Sequence, residues 1–205
     1  MTTARRLPAT ERRATIERAA EQLFAERGYA GTRIEDIVQS AGVTKPVLYR
    51  HFASKAALHR ALLEHHRDAL AAAALDEYLG AGSLDERLPA MLDAWFGYVE
   101  QHPYAWRLLL RDTTGDPDMQ ALHAELQSRQ RAADAALLRE NLPHLTEAQI
   151  APLAEVIRSS LTGLGLWWLD HPEVARAQLV QTMLDVLNGV LEQHRRGSSS
   201  RAPAG

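Results

Sequence analysis

Apolar residues recur three and four positions apart along almost the whole chain, and nowhere do β-branched residues alternate with polar ones as a half-buried strand requires. That pattern confines the chain to helices packed on helices, an all-α fold. The intervening residues agree, because Ala, Leu, Glu, Arg and Gln lose little freedom in a helix. Ile16, Ala19, Ala20, Leu23 and Phe24 form a first stripe, ended by Gly28. Ile34, Ile37, Val38 and Ala41 form a short second one, ended by Gly42, and Val43, Val47, Leu48 and Phe52 form a third. A long fourth helix starts at Ser54, an N-cap residue type, and runs through Leu58, Leu62 and Leu70 towards Leu79, where Gly80-Ala81-Gly82-Ser83 interrupts it. Further helices are expected over 84–101, 103–111, 117–141, 147–170 and 173–195, about nine in all. His102-Pro103, Thr113-Thr114-Gly115-Asp116-Pro117, Leu142-Pro143 and His171-Pro172 separate them.

The length of 205 residues suits one large domain or two small ones. Two are expected: three short helices over 10–54, then a larger helical domain over 55–196, with 1–9 and 197–205 as flexible termini. The chain has no cysteine, which excludes disulfides, thiolate metal sites and cysteine nucleophiles. The longest stretch without a charge, Ser159 to Leu169, is too short to span a bilayer, where about 20 apolar residues are needed. Leu7-Pro8-Ala9-Thr10-Glu11 after Arg5-Arg6 is no apolar leader, so a cytoplasmic location is expected.

Charge is distributed unevenly. Residues 1–67 carry 12 Lys and Arg against 7 Asp and Glu, a net of +5, whereas the remainder carries 11 against 19, a net of −8. The first third can attract a polyanion that the rest would repel. Within it, a helix ends at Gly42 and another begins about three residues on. Two short helices joined by a tight glycine-containing turn form a helix-turn-helix. Pro46 fits only a first helical turn, where its missing N–H leaves nothing unpaired. It also disfavours helical geometry at Lys45, so either Thr44 or Lys45 is the cap. In the helix from about Pro46 to Phe52, Val47, Leu48 and Phe52 can face the core. Lys45, Tyr49, Arg50 and His51 then lie on or near the outside, a set able to reach phosphates and base edges. Lys55, at the positive end of the next helix, would gain from a nearby phosphate.

Leu23-Phe24-Ala25-Glu26-Arg27-Gly28-Tyr29, Thr32, Ile34-Glu35-Asp36-Ile37, Ala41-Gly42-Val43, and Leu48-Tyr49-Arg50-His51-Phe52 with Ser54-Lys55 and Leu58 resemble the DNA-binding domain of tetracycline-repressor-type (TetR-type) regulators. The resemblance covers about residues 10–60, with the elements in order at the family's spacing. Val38 stands where the family often has Ala, and Pro46 replaces a usually small or flexible residue. The resemblance implies a homodimeric transcription factor, usually a repressor, whose helix at 45–51 enters the major groove of double-stranded DNA. Carried over residue by residue, it implies DNA contacts from Thr32, Arg33, Thr44, Lys45, Tyr49, His51 and Lys55. Pro46 and Val47 are candidates for thymine methyls, and Arg50 for a phosphate or an acidic side chain. Arg5, Arg6, Arg12 and Arg13 either reach the DNA from the arm or form a basic tail.

The remainder is read from its residues. Met91, Trp95, Phe96, Tyr98, Trp106, Leu109 and Leu110 concentrate apolar bulk, with Trp167 and Trp168 adding more. Such a set builds a core or lines a pocket for a small apolar effector. The pocket reading takes Met91, Trp95, Tyr98, Trp106, Leu109, Leu110 and Trp167, with His123 as a polar group. His65 falls on the inward stripe of the fourth helix. For dimerisation the candidates are Leu161, Leu164 and Trp168 on one long helix and Met183, Leu187 and Val190 on the next, paired into a four-helix bundle with a second copy. Gly163 and Gly165 mark close helix approach or a kink.

An enzyme is not expected. The chain has no phosphate-binding loop, dinucleotide fingerprint, nucleophile elbow or His-Glu-x-x-His, and no two of its nine histidines are four apart, so neither cofactor nor metal is expected. The competing reading is a helical protein–protein adaptor. Steep salt dependence of promoter binding separates the two, because phosphate contacts release counterions.

Overall fold

Each helix expected from spacing forms in the computed structural model, which describes residues 8–78, 83–110 and 117–199. Among the described residues there are nine helices and no strand. They are α1 (Ala9–Gly31), α2 (Ile34–Ser40), α3 (Lys45–His51), α4 (Lys55–Tyr78), α5 (Leu84–Gln101), α6 (Pro103–Leu110), α7 (Pro117–Asn141), α8 (Glu147–Leu169) and α9 (Arg176–Ser199). Ser54 caps α4 as its residue type predicts, its Oγ accepting from the Ala57 N–H at 3.0 Å. Thr146 opens α8, where the Gln149 side chain reaches back to accept from the Thr146 N–H at 3.0 Å.

Several boundaries differ from expectation. α1 does not end at Gly28: that residue is non-helical (φ 74°), but the chain resumes a further turn to Gly31. α9 starts at Arg176 rather than 173, because Glu173 and Val174 belong to a turn in which the Val174 N–H donates to His171 O. Residues 197–199, expected in a flexible tail, continue α9, and Ala9, expected in the arm, opens α1. The remaining arm and tail residues, 1–7 and 200–205, lie outside the described residues.

The chain divides into two compact units, and not at 54/55. The first comprises the chain up to Ala69 together with His102–His123, and the second comprises Leu70–Gln101 with the chain from Ala124 on. In the first unit α6 packs on α1, so Ala105, Trp106 and Leu108 are buried there with Ile16, Ala20, Phe24, Leu58 and Leu63. His66 is buried with its Nε2 3.2 Å from Glu21 Oε2, whereas its neighbour His65, placed on the inward stripe by spacing, is exposed.

In the second unit α5 packs on α8 and α9. Its buried residues include Leu92, Phe96 and Val99 from α5, Trp168 from α8, and Leu179, Met183 and Leu187 from α9. Phe96 and Trp168 meet edge to face at 6.0 Å, and the Trp168 indole N–H donates to Val174 O at 2.8 Å, so the turn before α9 satisfies a buried donor. Arg176 then lies across α5, donating to Asp93 at 2.9 Å and Glu100 at 2.8 Å. It passes over Gly97, where an added Cβ would stand 3.1 Å from its Nη1.

Candidate nucleic-acid interface

The turn between α2 and α3 is fixed by backbone hydrogen bonds around Gly42. The Val43 N–H donates to Val38 O at 3.0 Å and the Gly42 N–H to Gln39 O at 3.2 Å, the two bonds of a Schellman motif. Gly42 has φ 63°, and an added Cβ would meet nothing within 4 Å. Glycine is therefore favoured there by backbone conformation and not by space. Thr44 is the cap position of α3, which resolves the choice left by spacing. Its hydroxyl makes no cap hydrogen bond. Pro46 removes the N2 donor, and the Val47 N–H goes to the Thr44 carbonyl at 2.9 Å.

Helices of seven residues have room for one buried stripe each. Ile37 holds α2 and Leu48 holds α3, with Phe52 buried just after it. The opposite surface of α3 presents Lys45, Pro46, Tyr49 and Arg50, and Tyr49 is 48% exposed. Thr44 and Arg33 are exposed beside it, while Val47 and His51 are half-buried. The Lys45 ammonium is ion-paired with Glu35 of α2, a partner that spacing did not reveal. This hydrogen bond holds the Glu35 carboxyl below its usual range and pushes Lys45 up. Asp36, the next residue, pairs with Arg27 of α1 at 3.4 Å.

Two residues expected at DNA have other partners. Thr32 is 1% exposed, and its hydroxyl lies 2.8 Å from Gly28 O and 3.0 Å from Leu23 O. Its side chain is therefore turned into the protein, where the break in α1 needs donors for its carbonyls. The Lys55 ammonium, expected to relieve the α4 dipole with a phosphate, instead donates to Tyr29 O at 2.9 Å and Thr32 O at 3.0 Å and sits 4.1 Å from the Tyr29 ring centroid. It caps the end of α1 as a cation at a helix C-terminus. Arg12 is half-buried, Arg13 lies 4.6 Å over the Phe52 ring, and Arg5 and Arg6 lie outside the described residues.

The residues expected to line one effector pocket divide between the units. Met91, Trp95 and Tyr98 are half-buried in the second. Trp106 is buried in the first, where Leu109 and His123 are half-buried, and the side chain of Leu110 lies outside the described set. Trp167 is corrected: it is 44% exposed and stacks on His171 at 4.1 Å. Of the expected dimer residues, Trp168, Met183 and Leu187 are corrected, being buried within the unit, while Leu161 and Leu164 are half-buried and the side chain of Val190 lies outside the described set. Among the described residues, the exposed large apolar side chains of α8 and α9 are instead Val156, Leu166, Trp167 and Val186. Gly163 and Gly189 are also exposed, each with open space where a Cβ would stand, whereas Gly165 is buried. Among the described residues no three His, Asp or Glu are placed to hold a metal, and no helix is long and apolar enough to cross a membrane.

Residues 16–62 match the family described as bacterial regulatory proteins, tetR family, and residues 83–191 match the tetracyclin repressor-like C-terminal domain. Two curated relatives are the HTH-type transcriptional activator FasR of Mycolicibacterium smegmatis and the HTH-type transcriptional regulator TtgR of Pseudomonas putida. The first is 36% identical over 117 residues, 57% of this chain and 53% of FasR. The second is 50% identical over 56 residues, 27% of each chain. The chain thus spans about half or less of the curated relatives it matches. A TetR-like transcriptional regulator from Rhodococcus sp. RHA1 has the same fold, with a TM-score of 0.72 at 24% identity over 87% of this chain and 96% of its own.

The capped end of α1 gives a direct test. Lys55→Met keeps the stem and removes the charged donor from two carbonyls. The expected loss is about 1–3 kcal/mol of unfolding free energy, measured by urea denaturation. An unchanged midpoint would show that Lys55 does not hold this corner together.

Proposed function

The chain belongs to the tetR family of bacterial regulatory proteins and is a DNA-binding transcriptional regulator, not an enzyme; on that premise we propose that it binds a pseudo-palindromic operator as a homodimer and represses transcription under control of a small apolar or amphipathic effector. The observation that carries the DNA reading is the outer face of α3. An α-helix with its side chains is about 10–12 Å across, matched to a major groove about 12 Å wide. That face presents a cation, a phenol and a guanidinium from the basic third of the chain, on a scaffold fixed by Leu48 and Gly42. In this reading Lys45 and His51 reach base edges, Tyr49, Arg50, Arg33 and Thr44 hold phosphates, and Pro46 and Val47 meet thymine methyls. Thr32 and Lys55 act by fixing the α1 end.

The second copy is proposed to seat on the outward faces of α8 and α9, where Val156, Leu166, Trp167 and Val186 are exposed and the open glycines permit close approach. The effector is proposed to lie in the second unit against Met91, Trp95 and Tyr98, which are half-buried. α4 contributes residues to both units, so a ligand that favours one tilt of α4 would alter the spacing of the two α3 helices. A coupling of about 1–3 kcal/mol changes operator affinity some 5–150-fold.

Selection of genomic fragments by the purified protein is expected to enrich an inverted repeat whose half-sites are about 34–36 Å apart, and Tyr49→Ala to weaken binding to every sequence. Enrichment of no inverted repeat, or affinity insensitive to salt, would favour the adaptor reading. Deletion of the gene should raise transcription from the selected site, and a fall would make the protein an activator.

The dimer is tested at Val186. Val186→Glu places a charge on the outward face without disturbing the core and should yield a folded monomer by sedimentation. Leu187→Glu should instead unfold the second unit, because Leu187 is buried. A Val186→Glu protein that stays dimeric would put the interface elsewhere. For the effector, screened ligands that change Trp95 emission should also shift operator affinity, and ligands that do the first without the second would remove the regulatory role.

A further inference from the structure

We propose that Glu35 is a positioning residue that holds the Lys45 ammonium back from sequence-independent contact with the DNA backbone. This rests on the reading of the α3 face as the DNA interface. Lys45 opens α3 and Glu35 lies in the first turn of α2, ten residues earlier, so their ion pair bridges the two helices across the turn. Both side chains remain about half exposed, which leaves the pair at the surface that meets DNA.

The chain contains two lysines, and the other, Lys55, is committed to the end of α1. Lys45 is thus the one lysine offered at the α3 face. An ammonium is a compact point charge on a flexible stem and finds any phosphate without demanding geometry, whereas the guanidinium of Arg50 is a planar fork. A mobile Lys45 would therefore add to binding at every sequence. Glu35 counters this in two ways. It is a local anion for Lys45, and its own charge repels a phosphate approaching the same spot. Asp36 does not serve this purpose, because its partner is Arg27 on α1. An exposed ion pair of this kind contributes little to folding, so its removal leaves the fold intact. The consequence is a lower affinity for the excess of non-operator DNA that competes for any regulator in a cell.

The test measures binding of the full-length chain to a random-sequence duplex over a range of salt concentrations, with helicity and melting temperature confirming that each variant is folded. Each additional phosphate neutralised adds about 0.9 to the slope of log affinity against log salt, equivalent to about fivefold in affinity at 0.15 M salt. Glu35→Gln is expected to steepen the slope by about that amount and to tighten random-sequence binding about fivefold. The gain must run through Lys45, so adding Glu35→Gln to a Lys45→Gln chain should leave slope and affinity where Lys45→Gln alone puts them. Two outcomes overturn the proposal while leaving the DNA interface standing: no change on Glu35→Gln, or the same gain with and without Lys45, which would be a general effect of removing a negative charge. A folded wild-type chain with no salt-dependent affinity for any duplex would overturn the interface reading and this proposal together.

Discussion

The first unit depends on how the chain leaves α1. Gly28 breaks the helix with a positive φ, and a broken helix exposes carbonyls that have lost their following N–H partners. Here they are met by side chains brought from elsewhere. The buried Thr32 hydroxyl lies against Leu23 O and Gly28 O, and the Lys55 ammonium reaches Tyr29 O and Thr32 O from the first turn of α4. Tyr29 adds its ring under the ammonium and, on its other contacts, tilts against His59 at 5.0 Å, which in turn meets Phe24 edge to face at 4.8 Å. One corner thus joins the end of α1, the entry to α2 and the start of α4. The residues between these anchors are α2, its turn and α3.

Such an arrangement suits recognition because it separates support from contact. The buried Ile37, Leu48 and Phe52 and the Gly42 turn give the two short helices a fixed place. Thr44, Lys45, Pro46, Val47, Tyr49 and Arg50 can then vary in chemistry without disturbing what holds them, because their side chains are exposed or half-buried. The second unit has a comparable division. Trp168 and Phe96 hold the inside, Arg176 ties α9 to α5 over Gly97, and the outward faces of α8 and α9 keep apolar residues that the unit does not cover.

Two adjacent pairs of residues show why helical spacing does not by itself give orientation. His65 and His66 are adjacent, as are Trp167 and Trp168, and neighbouring residues on a helix point about 100° apart. Each pair contains one inward and one outward residue: His66 and Trp168 are buried, whereas His65, which spacing puts on an inward stripe, and Trp167, which it puts with the pocket residues, are exposed. Ala and Leu are abundant enough in these helices to offer more than one apolar stripe, so periodicity announces a helix more firmly than it announces its buried side. The partners of Lys55 are hidden in the sequence for a different reason. Its anion-like partners are backbone carbonyls 23 and 26 residues away, and backbone carbonyls leave no mark in a sequence.

The sequence by itself determined the helices, the helix-turn-helix and the residues on its outer face. These follow from local rules: the 3.6-residue period, the Gly42 turn, Ser54 as a cap and Pro46 in a first turn. It also determined the basic character of the first third, which is a matter of counting. Only the tertiary structure decided that α6 and the start of α7 belong with the N-terminal helices, that Lys45 is held by Glu35, and that Thr32 and Lys55 serve the end of α1. Those facts depend on which distant segments meet. The packing of whole helix faces selects such meetings, and no single residue type or spacing encodes them.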